Sequence, residues 1–228
     1  MRAGRVGIGG AIVDDPDQPV DTAGLVLQVD GRDWPWCARA LILLHKPAGY
    51  ECSLKPRHHP SVMMLLPVPL RLRGVQPVGR LDEDTTGLLL LTDDGELNHR
   101  LTSPKWHVPK VYRVGCRHPL TPVARERLLA GVVLEDDPQP VQALAVELAD
   151  PHDERTIHLT IGEGRYHQVK RMLAAVSNRV DSLQRVSMGP LQLDASLAPG
   201  GWRWLTAEEE AALRALKKQG PPARSSAV

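Results

Sequence analysis

The chain has 228 residues, enough for one full domain plus an additional segment. A hydrophobic content of 42% and a charged content of 24% are ordinary for a globular protein. There is no run of about 18 apolar residues and no apolar secretory signal near the start, so we expect a cytoplasmic protein without a membrane span. Three widely spaced cysteines without a Cys-x-x-Cys pair argue against a disulfide framework and a zinc ribbon.

The first half of the chain is rich in strand patterns. Residues 1–33 predict short strands joined by turns, too few to bury a core alone. The apolar run that ends at Pro47 predicts a buried strand, and residues 49–75 predict mostly loop. Residues 87–92 predict a second buried strand, followed by a turn and a helix over 96–101.

The second half mixes strands and helices without regular alternation, which predicts an α+β fold with a mixed, largely antiparallel sheet and flanking helices. Thr121 before Pro122 predicts a helix that ends at Gly131, and Thr206 with Glu209 predicts a capping box. The remaining predicted elements are strands at 110–116, 132–134, 141–148 and 155–161, helices over 168–178 and from 206 to about 218, and a disordered tail at 219–228.

An acidic loop is the first candidate site. Asp82, Glu83 and Asp84 lie in a polar loop bounded by Gly79 and Gly87, directly before the predicted strand 87–92. A loop on a rigid strand is a suitable mount for a reactive group. An acidic surface turn is the alternative, and a Mg²⁺ site would lack an accompanying phosphate-binding loop.

The second candidate site is a glycine loop that leads into the helix predicted from residue 168. Lys170 and Arg171 lie in its first turn, where cations oppose the helix dipole, so we expect an anionic partner from elsewhere in the chain. His167 is either a general base or a structural histidine. The spacing of His45, Cys52, His58 and His59 matches no tetrahedral metal motif, and we expect no metal.

Positive charge gathers in this part of the chain although the formal net charge is only +1. Such clustering is typical of a phosphate-contact surface, and a solvated helix face is the alternative. The residues concerned are Arg165, Lys170, Arg171, Arg179 and Arg185, against Asp181 alone.

Three segments together resemble the signature regions of the RsuA-type pseudouridine synthases. They are residues 79–104, the pair Lys110 and Tyr112, and residues 162–180, and the pattern at Leu183–Gly189 fits the same group. The resemblance covers residues 40–210 in collinear order. Two features resemble the branch that modifies small-subunit rRNA: the double threonine after the acidic triplet and the motif YHQVKRM.

The resemblance implies a pseudouridine synthase fold and assigns roles to single residues. Asp82 matches the family's nucleophilic aspartate and Tyr112 the aromatic residue that stacks on the target base. Lys170 matches the basic partner of the aspartate, with Arg171 as the alternative. Further substrate contacts are expected from Arg80, Thr85, Lys110, Arg165, His167, Gln168, Arg171, Leu183 and Arg185. A nucleophilic carboxylate must stay ionised, and a neighbouring cation offsets its desolvation. No cofactor is expected.

The beginning of the chain departs from the family pattern. Residues 1–36 resemble only the second half of a small RNA-binding domain, and the helical first half is absent. The predicted organisation is therefore a truncated RNA-binding domain at 1–36, a catalytic domain at 37–218 and the tail at 219–228.

Together these features predict a monomeric enzyme that isomerises a uridine of 16S (small-subunit) rRNA, or of its assembly intermediate, to pseudouridine. The alternatives are the same chemistry on large-subunit rRNA and a non-catalytic RNA-binding or ribosome-assembly module. A glycosidase would need a second placed carboxylate and sugar-stacking aromatic residues, and the chain has no phenylalanine.

Overall fold

The computed structural model describes residues 5–135 and 137–218. The predicted tail at 219–228 lies outside the described residues. The chain divides into two compact units, Met1–Arg39 and Ala40–Val228.

The first unit contains a four-stranded antiparallel sheet with the strand order β2-β1-β3-β4. The short strands predicted for this segment are confirmed. Their ranges are β1 Val6–Ile8, β2 Ala11–Ile12, β3 Val26–Val29 and β4 Arg32–Pro35. Descent of this unit from an RNA-binding domain stays a prediction.

The second unit is built on a sheet of nine strands among the described residues, with the main order β11-β12-β8-β13-β7-β5-β15 and the short β14 and β6 beside β13 and β7. Only the pairing of β13 with β7 is parallel among the pairs in the described sheet. This confirms the predicted α+β class with a largely antiparallel sheet. The ranges are β5 Leu41–Lys46, β6 Gln76–Pro77, β7 Thr86–Thr92, β8 Lys110–Cys116, β11 Ala145–Asp150, β12 Asp153–Ile161, β13 Val180–Met188, β14 Leu191–Gln192 and β15 Trp202–Trp204.

Smaller elements surround this sheet. Two strands, β9 Val132–Leu134 and β10 Asp137–Val141, pair with each other separately. The α-helices are α1 Val68–Leu72, α2 Gly95–Thr102, α3 Pro122–Ala130, α4 Gln168–Ala175 and α5 Ala207–Arg214, and 3₁₀ turns cover Val62–Leu65 and Pro104–Trp106.

The helix starts follow the capping chemistry in the sequence. The Thr121 side chain accepts a hydrogen bond from the Ala124 amide, and α3 ends before Gly131. Thr206 and Glu209 form the predicted capping box of α5. Because a capping box satisfies two amides at the open end of a helix, it fixes the start of α5.

Several predicted boundaries are wrong. The strand expected at 141–148 is two strands, since β10 ends at Val141 and β11 begins at Ala145. Residues 49–75 contain α1 and a 3₁₀ turn as well as loop. The helices α4 and α5 end at Ala175 and Arg214, earlier than expected, and the central strand β13 was not predicted at all.

The core lies along the two central apolar strands. All four leucines of β7, Leu88–Leu91, are fully buried, as are the residues from Ile42 to Leu44 on β5. Strands that are buried on both faces read as continuous apolar runs, which is why both were recognisable in the sequence. No described helix has the length and apolar character to cross a membrane.

Candidate active site

The acidic loop lies between β6 and β7, directly before the first residue of the buried strand β7. The Thr85 amide donates to the Asp82 carbonyl (3.1 Å), which closes a turn. The Asp82 side chain keeps about a quarter of its surface exposed (26%), while Thr85 is buried. The loop therefore presents one carboxylate to a partly enclosed space and anchors itself through the next residues.

A buried lysine fixes this loop from below. Lys46 at the end of β5 is inaccessible to solvent, and its ammonium donates to the carbonyls of Pro47 (3.0 Å), Glu83 (3.0 Å) and Thr85 (2.9 Å). Burial lowers the pKa of Lys46, and the neighbouring carboxylates, Asp84 among them, oppose that shift. Three acceptors from two chain segments make Lys46 a clamp on the backbone that carries Asp82.

Replacing Lys46 by methionine is expected to lower both stability and turnover. The change removes the donor from a buried bond to the Thr85 carbonyl and from partly buried bonds to the Pro47 and Glu83 carbonyls. The Glu83 carbonyl still accepts from the Gly49 amide, and each unmade buried hydrogen bond costs roughly 1–3 kcal/mol. Urea unfolding should show a loss of about 2–4 kcal/mol, and kcat should fall about tenfold or more because the loop relaxes. Lys105→Met, at an exposed position, is the matched control. An unchanged kcat in Lys46→Met would contradict the clamp.

Asp82 faces residues from the start of α4. The Lys170 Nζ lies 3.3 Å from Asp82 Oδ2 and 2.7 Å from Asp84 Oδ1. His167 Nε2 lies 3.5 Å from Asp82 Oδ1. The anionic partner expected for the cations at this helix start is thus the acidic loop, from a segment more than eighty positions away.

The ion pair of Lys170 and Asp84 stabilises the charged forms of both side chains. Burial works against the charge of Lys170, but its hydrogen bond with Asp84 and the charges of Asp82 and Asp84 outweigh burial and raise the pKa of Lys170. For Asp84, burial is likewise outweighed by Lys170, and its pKa is lowered. Arg171 instead donates to the Tyr166 carbonyl (3.0 Å). Of the two candidate partners, Lys170 is the cation within 4 Å of Asp82.

His167 has a left-handed backbone conformation (φ 48°) where α4 begins, and its ring stacks on Tyr166 with 3.8 Å between centroids. Its side chain caps no amide of α4. The Gln168 Oε1 accepts a hydrogen bond from the Arg165 amide (2.8 Å), which ties the preceding loop to the first residue of α4. The uncommon conformation turns the His167 ring toward Asp82.

A cavity of about 670 Å³ opens beside Asp82. It is large enough for an extruded nucleotide, since small-molecule sites occupy roughly 300–1,000 Å³. Ten of the twelve residues expected to contact substrate or take part in the reaction line it: Arg80, Asp82, Thr85, Lys110, Tyr112, Arg165, His167, Gln168, Leu183 and Arg185. Lys170 and Arg171 are not among the lining residues, although Lys170 contacts Asp82.

One face of the β8–β13 pair forms a wall of the cavity. Tyr112 lies directly opposite Arg185, and Leu183 opposite Val114, so their side chains point to the same side of the sheet. Tyr112 and Arg185 are 7% and 1% exposed. The aromatic ring and the guanidinium are therefore buried in this wall and are not part of the outer surface.

The predicted basic surface is wrong in its composition. Arg165 is paired with Asp137 (2.6 Å) and Glu163 (3.3 Å), and Lys170 is paired with the acidic loop. Arg185 is buried, and of the five only Arg179 is exposed. Alternation along β13 turns Arg185 inward, and linear clustering of charge cannot show which face a strand residue takes.

The structure adds a basic loop that sequence patterns missed. The Glu51 carboxylate accepts hydrogen bonds from the amides of Arg57, His58 and His59 (3.1, 2.8 and 2.9 Å). These amides, that of His58 first, hold the pKa of Glu51 at about 2. Lys55 and Arg57 of this loop line the cavity. The feature of the sequence that could have indicated this loop is a single glutamate before a basic, proline-rich stretch.

Comparison with known proteins identifies the family. The model for RNA pseudouridylate synthase matches residues 40–175, a range that includes Asp82, Tyr112 and Lys170. The chain belongs to the RNA pseudouridylate synthase family.

The relatives of this synthase extend the likeness over nearly the whole chain. A protein named "Ribosomal small subunit pseudouridine synthase A" from Yersinia pestis is 41% identical over 94% of this chain and 90% of its own length. The protein of that name from Escherichia coli K12 is 45% identical over 75% of this chain and 72% of its own length. A solved structure titled "Crystal structure of pseudouridylate synthase" has a TM-score of 0.72 and 36% identity, covering 93% of this chain and 90% of that one.

Proposed function

We propose that this synthase converts one uridine of small-subunit rRNA, or of its assembly intermediate, to pseudouridine, with Asp82 as the nucleophile. The relatives that bear the name of a small-subunit enzyme, and that match over most of this chain, support the substrate. The observation that carries the chemistry is a partly exposed carboxylate in the lining of a nucleotide-sized cavity, with an ammonium 3.3 Å away.

The first step brings the base to the carboxylate. A uridine inside an RNA helix is out of reach and must be extruded into the cavity. Tyr112 provides a stacking surface for the flipped base, an interaction worth roughly 1–3 kcal/mol. The Lys170 ammonium, 3.3 Å from Asp82, provides a counter-charge for this carboxylate while the base excludes water.

The isomerisation then proceeds without loss or gain of heavy atoms. Asp82 attacks carbon 1 of the ribose, the bond from that carbon to N1 breaks, and the electron pair leaves with the base. The base rotates, its carbon 5 bonds to carbon 1 of the ribose, and the Asp82 carboxylate is released. The proton on carbon 5 leaves, and N1 takes up a proton. No electron, phosphate or water is consumed, so no cofactor is needed.

Mapping pseudouridine in both rRNAs, from cells with and without the gene, tests the substrate. The expected result is one small-subunit position that loses its modification in the deletion strain and regains it on complementation. Loss at a large-subunit position would overturn the small-subunit assignment. Unchanged modification in both rRNAs would favour the non-catalytic alternative.

We further propose that the protein acts in the cytoplasm as a monomer. The residues that line the cavity in this structure include the proposed nucleophile Asp82 and the proposed stacking residue Tyr112 of the same chain. Light scattering should give a mass near the 25.0 kDa of one chain, and a dimer mass at working concentration would contradict the monomer.

A further inference from the structure

Two buried polar atoms of cavity-lining residues have no hydrogen-bond partner in the described part of the chain. Arg185 is 1% exposed, and its Nε donates to the Leu88 carbonyl (2.8 Å), but its Nη2 is buried without a partner. The hydroxyl of Thr85, also 1% exposed, is in the same state. Both residues line the cavity. Because buried polar groups in folded proteins are nearly always hydrogen-bonded, two such orphans in one cavity indicate a ligand with acceptor atoms.

A second cation lies on the same wall. Lys110 lines the cavity, and its ammonium donates to the Val108 carbonyl (2.8 Å). Within the described residues, neither Lys110 nor Arg185 forms an ion pair. This contrasts with Arg165 and Lys170, which both have carboxylate partners. Arg185 is buried and Lys110 is partly buried. Because holding cations away from water without a counter-ion is costly, a fold that keeps them there has an anionic or strongly accepting ligand for them.

We infer that Lys110 and Arg185 bind the carbonyl oxygens of the flipped uracil and stabilise the negative charge that the ring carries once its bond to ribose is broken. The inference rests on the proposed function and assigns the two residues a catalytic task within it.

The chemistry of the detached base explains why cations are needed here. When the bond to ribose breaks, the electron pair on N1 is delocalised onto both ring carbonyl oxygens. Donors that are already in place where charge develops lower the barrier, and removal of one such donor typically costs about 10²–10³ in kcat. Stacking on Tyr112, directly across from Arg185 in the sheet, fixes the plane of the ring beside these donors.

The same arrangement selects uracil over cytosine. Cytosine carries an amino group where uracil has its second carbonyl oxygen. A protein donor placed for that oxygen would face the hydrogen-bond donor of the amino group and would have no acceptor. Sites built to hydrogen-bond a particular group discriminate strongly against an analogue that lacks it.

Lys110 gives the inference a pH signature. Burial and the neighbouring charge of Arg185 on β13 lower the pKa of Lys110 to about 8, with Glu163 after β12 opposing the shift. Since the ordinary lysine value is 10.5, the free enzyme loses this charge as pH rises through about 8. The kcat/KM profile reports ionisations of the free enzyme, so it should fall above that pH.

The test uses the full chain and transcripts of small-subunit and large-subunit rRNA that carry tritium on carbon 5 of uridine. Because carbon 5 loses its hydrogen in the reaction, released tritium counts turnovers. The variants are Lys110→Met, Lys110→Arg and Arg185→Met, with Arg113→Met as the matched control. Arg113 is an exposed neighbour on β8, one residue from Tyr112. RNA affinity is measured by filter binding, and thermal melting verifies folding.

We expect kcat to fall about 10²–10³-fold in Lys110→Met and Arg185→Met, while RNA affinity changes less than about threefold because phosphates supply most of it. Arg113→Met should match wild type. Lys110→Arg should retain most of the rate and remove the fall of kcat/KM above pH 8, since arginine stays charged.

Equal kcat in wild type and in both methionine variants would overturn the cation pair and leave the proposed function intact. A fall of kcat/KM that persists unchanged in Lys110→Arg would equally overturn it, and this comparison decides the matter even where Arg185→Met does not fold. If wild type released tritium from neither transcript, the proposed function would be overturned instead.

Discussion

Asp82→Asn is expected to form no measurable pseudouridine, with turnover below about one per cent of wild type, which corresponds to at least 2.7 kcal/mol of lost transition-state stabilisation. An amide keeps the size of the side chain but cannot attack the ribose or leave again as a carboxylate. RNA affinity should stay within a few fold of wild type, because contacts with the RNA phosphates supply most of the binding and do not involve this carboxylate. Tritium release and filter binding measure the two effects separately.

Asp84→Asn is the matched control for this change. Asp84 is in the same loop, is more exposed than Asp82 (57% against 26%), and makes the shorter contact with Lys170. Its loss should free Lys170 for Asp82 and retain more than about a tenth of the wild-type rate, because a pairing with an exposed carboxylate is weak. Comparable loss in both variants would mean that the acidic loop acts as a unit, and full activity in Asp82→Asn would end the assignment.

The parts of the site that depend on neighbouring residues could be predicted from the sequence. The prediction failed for the parts that depend on distant segments of the chain. The acidic loop was recognisable because Asp82 directly precedes an apolar strand. Its pairing with α4 followed from a local conflict, since Lys170 stands in the first turn where a cation opposes the helix dipole. That conflict indicated an anion, but only the folded chain identifies which one.

Sequence patterns could not predict the clamp formed by Lys46 or the burial of Arg185. Lys46 reads as the polar end of an apolar strand, and nothing local shows that three carbonyls surround it. Arg185 reads as one more surface charge. It stands on β13, whose inward side also carries Ser187, so the strand lacks the apolar alternation that predicts strands. The missed strand and the misread arginine thus have one cause.

The fold class could be predicted, but the strand order could not. Continuous apolar runs marked β5 and β7 as central strands. The position of β13 between β8 and β7 brings residues about seventy and one hundred positions apart into contact, and no local pattern encodes such pairing. That insertion places the wall of Tyr112 and Arg185 next to the acidic loop.

The parallel contact between β7 and β13 depends on a glycine, which gives the second large prediction. Gly87 lies opposite Arg185, immediately after the acidic loop, with a φ of 105°. A Cβ added there would overlap the backbone carbonyl oxygen of Arg185 and would lie 2.7 Å from its amide nitrogen. The obstacle is backbone, which cannot rotate away as a side chain can, and the φ itself is strained for any other residue.

Gly87→Ala is therefore expected to destabilise the protein by roughly 3–5 kcal/mol, at the upper end of single substitutions. Urea unfolding measures the loss, and a sharp fall in kcat should accompany it in the folded fraction, because separating β7 from β13 moves Asp82 away from the cavity wall. Gly95→Ala at the start of α2 is the matched control. It has an ordinary φ and open space around its Cβ, so stability should change by less than about 1 kcal/mol. Equal stability of the two variants would show that the strands separate at little cost and that the close approach does not hold the acidic loop in place.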